Sequence, residues 1–198
     1  MARNSLKGFC ASVIAVAVLY SGLMIVQFHY LSGFNAYALA SAFFIPSAVR
    51  MFGVLLLGYR TGLGIALGGV MFALGVNNLG QTFEQSLIVS VQAGFSCSAS
   101  LLLWSLLSDK VSGWRAPVIA FQAINAYDVF FLCLIQSVLN SGLASLIYHL
   151  LPGQLPAVTL HQAITMFIGD LSGAFLVFIL LNVLMSIAMR SRFFARPE

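Results

Sequence analysis

Six long apolar runs, separated by short polar stretches, take up nearly all of the chain. A helix needs about 20 apolar residues to cross a membrane, and each run is close to that length or longer. The pattern therefore predicts an all-α fold, a polytopic membrane helix bundle of about six transmembrane helices in a single domain, residues 1–198. The predicted spans cover about residues 8–28, 34–57, 62–79, 87–107, 118–148 and 160–189.

The composition also favours a membrane location. Hydrophobic residues make up 61% of the sequence and charged residues 7%, whereas soluble domains carry roughly 25% charged residues. A water-soluble fold of this composition would expose large apolar patches and aggregate, but a bilayer solvates the same surface. The sequence has no phosphate-binding glycine loop, nucleophile elbow or short motif of paired carboxylates, so we do not expect an enzyme.

The distribution of basic residues predicts the orientation in the membrane, because Lys and Arg that flank spans stay in the cytoplasm. With the N-terminus inside, all but one of the 9 basic residues fall on the cytoplasmic side, and the outer loops hold none. The cytoplasmic set is Arg3, Lys7, Arg60, Lys110, Arg115, Arg190, Arg192 and Arg196. We therefore expect both termini in the cytoplasm, and we attribute the net charge of +4 to topology and not to nucleic-acid binding.

Arg50, the remaining basic residue, falls inside the second predicted span. It lies about 12 Å from the cytoplasmic end of that span at a rise of about 1.5 Å per residue. A central arginine costs at least about 2.5–3.5 kcal/mol unless it snorkels or finds a partner, so it marks a candidate functional site. Asp128, about 15 Å from the cytoplasmic start of the fifth span, is the partner expected from depth. Asp170 falls in the outer half of the sixth span and is expected to have a separate role in the polar network.

A polar stripe on the fifth predicted span falls within an arc of about 120° on a helix. Its members are Gln122, Asn125, Asp128, Gln136 and Asn140. A stripe of this length is expected to face a cavity or another helix and not lipid. One interpretation is hydrogen bonding that only fixes helix packing. The other is a site, lined by Arg50 and the stripe, for a small ligand with an anionic or amide group.

Glycines of the third predicted span share one helical face. Gly64, Gly68 and Gly75 lie on it, and Gly64 and Gly68 form the small-xxx-small pattern that lets membrane helices approach closely. The same face has no side chains with which to do chemistry. We therefore expect this face to pack against other helices.

The histidines and cysteines are candidate metal ligands. His29, His149 and His161 fall at the outer interface in the predicted topology, but no two of them have the i, i+4 spacing of a helical metal site. Histidines beside Tyr30 and Tyr148 are typical of the aromatic belt of a membrane protein. The three cysteines lack C-x-x-C spacing and are expected to be buried small hydrophobes. We expect no metal and no cofactor.

Two segments combine proline, glycine and charge in a recognisable order. Phe43–Val70 has a proline before an apolar helix, a Gly-x-Arg turn and a glycine-rich span, and Ile168–Leu181 has a Gly-Asp-x-x-Gly segment. The residues concerned are Gly58, Tyr59 and Arg60 in the turn, and Gly169, Asp170 and Gly173 in the later segment. Both segments resemble bacterial membrane-associated sensor domains of the first (MASE-type) class. The resemblance implies a multi-pass inner-membrane sensor, here a divergent, stand-alone member that signals through a partner protein.

A second family competes with the sensor interpretation. Ala11-x-x-x-Ala15 in the first span resembles the small-residue motif by which substrate-binding subunits of energy-coupling-factor importers dock their transmembrane partner. Such subunits are similar to this chain in length, in having six spans and in having both termini inside. Both families imply a non-enzymatic bundle in the lipid bilayer that binds a small molecule and passes the event to a membrane or cytoplasmic protein. The two families differ in whether the ligand is carried across the membrane.

The predicted topology can be tested with reporter fusions. Fusions after Gln81 and after Gln154 should report the periplasm and a fusion after Glu198 the cytoplasm, because the basic residues fall on one side of the membrane only. Paired alkaline phosphatase and fluorescent protein reporters at each position measure the two outcomes independently. A periplasmic signal from the Glu198 fusion would exclude an even number of spans with the N-terminus inside.

Overall fold

The computed structural model describes residues 2–31, 35–37, 40–41, 43–75, 82–107, 126–150 and 160–194. This part of the chain contains six helices and one antiparallel pair of short strands, so the predicted all-α class is confirmed. In chain order the elements are α1 (Ala2–His29), β1 (Asn35–Tyr37), β2 (Ala40–Ser41), α2 (Pro46–Leu57), α3 (Arg60–Gly75), α4 (Phe83–Leu107), α5 (Ala126–Leu150) and α6 (Leu160–Phe194).

Four helices in the described ranges are long and apolar enough to cross a membrane. Their candidate spans are Leu6–His29, Phe83–Leu107, Tyr127–Leu150 and Leu160–Leu184. The other two helices, α2 and α3, have 12 and 16 residues. At about 1.5 Å per residue they reach only about 18 and 24 Å, which is short of a hydrocarbon core of about 30 Å.

Among the described residues of the second predicted span, 34–57, the helix begins at Pro46. Before it, β1 and β2 pair with Asn35 opposite Ser41 and Tyr37 opposite Ala40. Proline fits the first turn of a helix because its missing N–H would have no partner there. The apolar run continues through both parts, so hydrophobicity could not mark the change from strand to helix. Residues 76–79 and 118–125, which belong to the third and fifth predicted spans, lie outside the described residues.

The short helix α2 lies at the centre of the bundle and contacts each of the other five helices. Met51 is fully buried and Val54 is 1% exposed, and both belong to the main hydrophobic cluster. Gly58 ends the helix with a φ of 63°, a left-handed conformation that glycine adopts without steric cost. Because α2 is surrounded by helices, its polar side chains must find partners inside the protein.

Helix α3 packs between α1 and α4, and glycines on two of its faces allow the close approach. A Cβ atom at Gly64 would lie 2.5 Å from Cβ of Val16, and one at Gly68 would lie 2.6 Å from the main-chain oxygen of Ala17. Gly75, predicted to share this face, meets no atom of the described residues within 4 Å. The packing role therefore belongs to Gly64 and Gly68 and does not extend to Gly75.

The burial expected for the cysteines holds for two of the three. Cys97 and Cys133 are buried, whereas Cys10 is exposed on α1. Cys10 lies on a helix in which only 22% of the most apolar window is buried, so most of the α1 surface is not covered by the described residues. An apolar side chain facing lipid needs no protein partner, and hydropathy alone does not separate the two environments.

The contact at Gly68 can be tested by substitution. Gly68→Leu should lower the melting temperature of the purified protein in detergent, because the added side chain has no room beside Ala17 and overpacking costs about 1–3 kcal/mol. Gly75→Leu on the same helix is the matched control and should melt close to the wild type. Equal melting temperatures for both variants would show that α1 and α3 do not pack closely at Gly68.

Candidate functional site

A buried ion pair joins α2 and α6. Nη1 of Arg50 lies 3.1 Å from Oδ2 of Asp170, and the two residues are 3% and 4% exposed. Arginine keeps its proton under all ordinary conditions, so its positive charge needs a buried partner. The carboxylate of Asp170 supplies the opposite charge and a hydrogen bond.

The prediction that Asp128 is the partner of Arg50 was wrong. Asp128 is half-buried in the first turn of α5, whereas Asp170 lies about ten residues into α6, roughly 15 Å from its start at about 1.5 Å per residue. Asp170 thus lies well inside its helix, as does Arg50, which lies about 10 Å before the end of α2 at Leu57. The division into inner and outer halves was therefore too coarse to choose between the two acids.

Asn140 extends the ion pair into a chain of hydrogen bonds. Its Nδ2 donates to Oδ2 of Asp170 at 2.6 Å. Its Oδ1 accepts from Nε2 of Gln92 at 3.2 Å and from the hydroxyl of Ser96 at 3.3 Å. Gln92 also donates to the main-chain oxygen of Asn140 at 3.1 Å. These hydrogen-bonded side chains link α4, α5, α6 and α2. Their polar groups pair with one another inside the protein, where water is not available to them.

The position of Asp170 depends on close backbone contact between α6 and the residues that precede α2. The N–H of Phe44 donates to the main-chain oxygen of Gly169 at 3.0 Å. A side chain at Gly173 would collide with the main chain of Phe44. Ser47 then donates to the main-chain oxygen of Asp170 at 2.7 Å. The two glycines and Asp170 of the Gly-Asp-x-x-Gly segment thus bring the carboxylate to Arg50.

A side chain from α1 holds the same segment from the other side. Nε2 of Gln27 donates to the main-chain oxygen of Phe43 at 3.0 Å, and its Oε1 accepts from the N–H of Ile45 at 3.2 Å. Gln27 is fully buried. These bonds satisfy backbone groups just before Pro46 that no helix satisfies, which allows a non-helical segment to lie inside an apolar bundle.

Aromatic rings surround the guanidinium group. The ring of Phe44 lies 5.2 Å from Cζ of Arg50, and the ring of Tyr20 lies 6.0 Å away. Both distances allow a cation–π interaction, which is stronger when the cation is removed from water. Nε of Arg50 is buried and has no hydrogen-bond partner among the described residues. The rings therefore complete the surroundings of the guanidinium, and its Nε lies out of reach of a ligand.

The ion pair and the hydrogen-bonded side chains of Asn140 and Gln92 line a cavity of about 100 Å³. The other walls are apolar and aromatic, and Met24, Ala144 and Met166 are among them. A second cavity of about 70 Å³ has five lining residues in common with the first. The polar lining consists of Arg50, Gln92, Asn140 and Asp170, and the aromatic lining of Tyr20, Phe28, Phe44 and Tyr148. Such a combination of apolar walls with a few convergent polar groups is typical of small-molecule sites.

The structure brings together only part of the set that the sequence predicted. Arg50, Asn140 and Asp170 meet at the cavity. Gln136 is buried, and its Nε2 has no partner in the described ranges. Gln122 and Asn125 lie outside the described residues. The predicted docking residues, Ala11 and Ala15, lie on α1 with both side chains exposed.

Gln92, Ser96 and Tyr20 were missed by the sequence analysis. Gln92 carried a usable signal, because an amide in the middle of an apolar run is subject to the same cost as the other intramembrane polar groups. Ser96 and Tyr20 carried none, since serine and tyrosine are common in membrane helices, and only the fold brings Tyr20 to Arg50 and Ser96 to Asn140. The polar residues of the fifth predicted span repeat with the periodicity of a helix, whereas Gln92 is not part of such a repeat.

The described residues offer no metal site. No group of three or more His, Cys, Asp or Glu side chains in these ranges is arranged to hold an ion. His29, His149 and His161 are each exposed at the end of a helix. The cavity is lined by one carboxylate, which already pairs with a guanidinium. Hydrogen bonding and apolar contact are the interactions that this site can supply to a ligand.

Comparisons with known proteins return no relative. The chain matches no protein-family model, no curated protein and no solved structure. The candidate site is therefore defined by the geometry and chemistry of its own residues.

A double-mutant cycle tests the ion pair. Arg50→Ala and Asp170→Ala should each destabilise the protein by about 3–5 kcal/mol, because each leaves an uncompensated buried charge. The double variant should cost less than the sum of the two single variants. Thermal unfolding in detergent measures all four proteins. Asp128→Ala is the control, and its effect should add to that of Arg50→Ala. Additive effects of Arg50→Ala and Asp170→Ala would contradict the pairing.

Proposed function

We propose that this protein is a non-enzymatic, multi-pass inner-membrane protein of the sensory type, which binds a small molecule and passes the event to a partner protein. The observation that carries the proposal is the cavity between the helices, apolar on most sides and polar at Arg50 and Asp170. A structural ion pair alone would be expected to lie in closely packed surroundings, whereas this pair lines a cavity. Intramembrane ionisable residues that face a cavity usually mark a functional site.

The proposed topology has six spans with both termini in the cytoplasm. Helix α2 is too short to cross alone, but residues 43–45 and the β1–β2 pair precede it. Non-helical backbone is tolerated at membrane depth where protein buries it, and Gln27 and Gly169 satisfy the backbone around Phe44. The basic residues Arg190 and Arg192 follow the apolar window of α6, which ends at Leu184. This order favours a cytoplasmic end for that helix.

The same helix offers a route from the site to a partner. α6 continues without a break from Asp170, at the cavity, to Phe194. That length of helix corresponds to about 36 Å at about 1.5 Å per residue, more than the thickness of half a bilayer. A change in the position of Asp170 would therefore be carried to the proposed cytoplasmic side. This connection, together with the two segments that resemble MASE-type sensors, favours a sensory role.

A substrate-binding subunit of an energy-coupling-factor importer is the alternative. The exposure of both Ala11 and Ala15 favours it, since two small side chains one turn apart leave a flat strip on α1 that no other described element covers. Such a strip suits close docking of a partner helix. The two functions differ in whether the bound molecule crosses the membrane, so its uptake by intact cells separates them.

The proposed ligand site can be tested through the molecule that the protein carries from its native membrane. Protein purified in detergent from that membrane should hold a small molecule that native mass spectrometry detects and denaturation releases. Ala144→Leu should remove this molecule, because Ala144 lines the cavity and a larger side chain fills it. Gly142→Leu adds a side chain on an exposed position of the same helix and is the matched control. Equal small-molecule content in all three proteins would contradict binding in the cavity.

A further inference from the structure

We infer that the cavity selects an uncharged ligand with an amide-like group and rejects small anions and cations of the same shape. This inference rests on the proposed ligand-binding function and names the chemical class of the ligand. The sequence left both anionic and amide groups open. The structure restricts the choice through the charge balance of the lining.

The charges at the cavity cancel. Arg50 and Asp170 line the cavity and pair with each other at 3.1 Å. Gln92 and Asn140 complete the polar lining and are neutral. An anionic ligand would bring a second negative charge to a guanidinium that is already paired. A cationic ligand would bring a second positive charge to a carboxylate that is already paired. In surroundings of low dielectric, an uncompensated charge is expensive, so a neutral ligand is favoured.

The lining still offers both a donor and acceptors to a neutral ligand. The hydroxyl groups of Tyr20 and Tyr148, which line the cavity, are donors. The hydrogen bonds to the Asp170 carboxylate, from Arg50 and Asn140, both end on Oδ2, and Gln92 uses its Nε2. Within the described ranges this leaves Oδ1 of Asp170 and Oε1 of Gln92 as acceptors. A primary amide fits both needs, because its oxygen accepts a hydrogen bond and its nitrogen donates two.

The volume limits the size of the group that a ligand can place inside the cavity. A cavity of about 100 Å³ is smaller than a cavity of roughly 150 Å³ that holds benzene in another protein. A planar group of about four heavy atoms fits such a space. The rings of Phe44 and Tyr20 provide apolar contact for its carbon atoms.

Acetamide, acetate and acetamidinium form a matched probe series, because they share a planar four-atom skeleton and differ in charge. Each is added to the purified full-length protein at high millimolar concentration, since ligands of so few atoms bind weakly. Sodium chloride at the same concentration is the reference. Acetamide should raise the melting temperature, and its apparent Kd should be lower than that of either ion by about tenfold or more, a ratio that needs only about 1.4 kcal/mol.

Two variants show whether the effect arises in the cavity. Ala144→Leu should abolish the acetamide shift, and Gly142→Leu should retain it. An equal shift in both variants overturns the inference, because acetamide would then act elsewhere on the protein.

The variant Asp170→Ala tests the charge balance directly. It leaves the charge of Arg50 without its carboxylate and opens space beside it. Acetate should then stabilise the variant more than acetamide does, by replacing the missing group. Equal effects of acetate and acetamide on Asp170→Ala would overturn charge balance as the basis of selection.

The remaining outcomes separate this inference from the function on which it rests. A wild-type protein stabilised by acetate or acetamidinium but not by acetamide would overturn the neutral class and leave ligand binding in the cavity intact, provided that Ala144→Leu abolishes the effect. No shift with any of the three probes, together with no small molecule bound to the protein from its native membrane, would overturn both.

Discussion

The positive charge of Arg50, held in the interior of an apolar bundle, is the constraint that organises the rest of the structure. A guanidinium buried to 3% exposure needs an opposite charge and hydrogen-bond acceptors within the protein. Asp170 supplies both. Asn140 then orients the carboxylate, and Gln92 and Ser96 orient Asn140. The burial of one positive charge therefore determines the positions of polar side chains on four helices, α2, α4, α5 and α6.

The ion pair in turn requires a backbone arrangement that ordinary transmembrane helices do not provide. Helix α2 starts at Pro46, and the segment before it passes between α1 and α6. Gly173 lets the main chain of Phe44 lie against α6, and Gln27 satisfies the polar groups on the other side. Without a side chain at Gly173, α6 comes close enough for Asp170 to reach Arg50. Close backbone packing and charge pairing are thus parts of one arrangement.

The proposed function rests on the cavity that the ion pair lines. Two methionines, Met24 and Met166, are among the residues that line the cavity, and methionine adapts its shape easily. The lining is apolar enough to favour a small organic molecule and polar enough to orient it. Because Asp170 lies on the longest helix, a ligand that contacts the carboxylate also contacts an element that extends well beyond the cavity. Sensing and import both need such a connection between a ligand and a partner.

The sequence by itself determined the helical class and singled out Arg50, because hydropathy and the cost of a buried charge are local properties of the chain. It also placed Gly64 and Gly68 in helix packing. It could not determine where α2 begins, since the run from 34 to 57 is apolar on both sides of Pro46. Only the tertiary structure paired Arg50 with Asp170 and brought Gln92 to Asn140, because helices distant in sequence meet according to the fit of their whole surfaces.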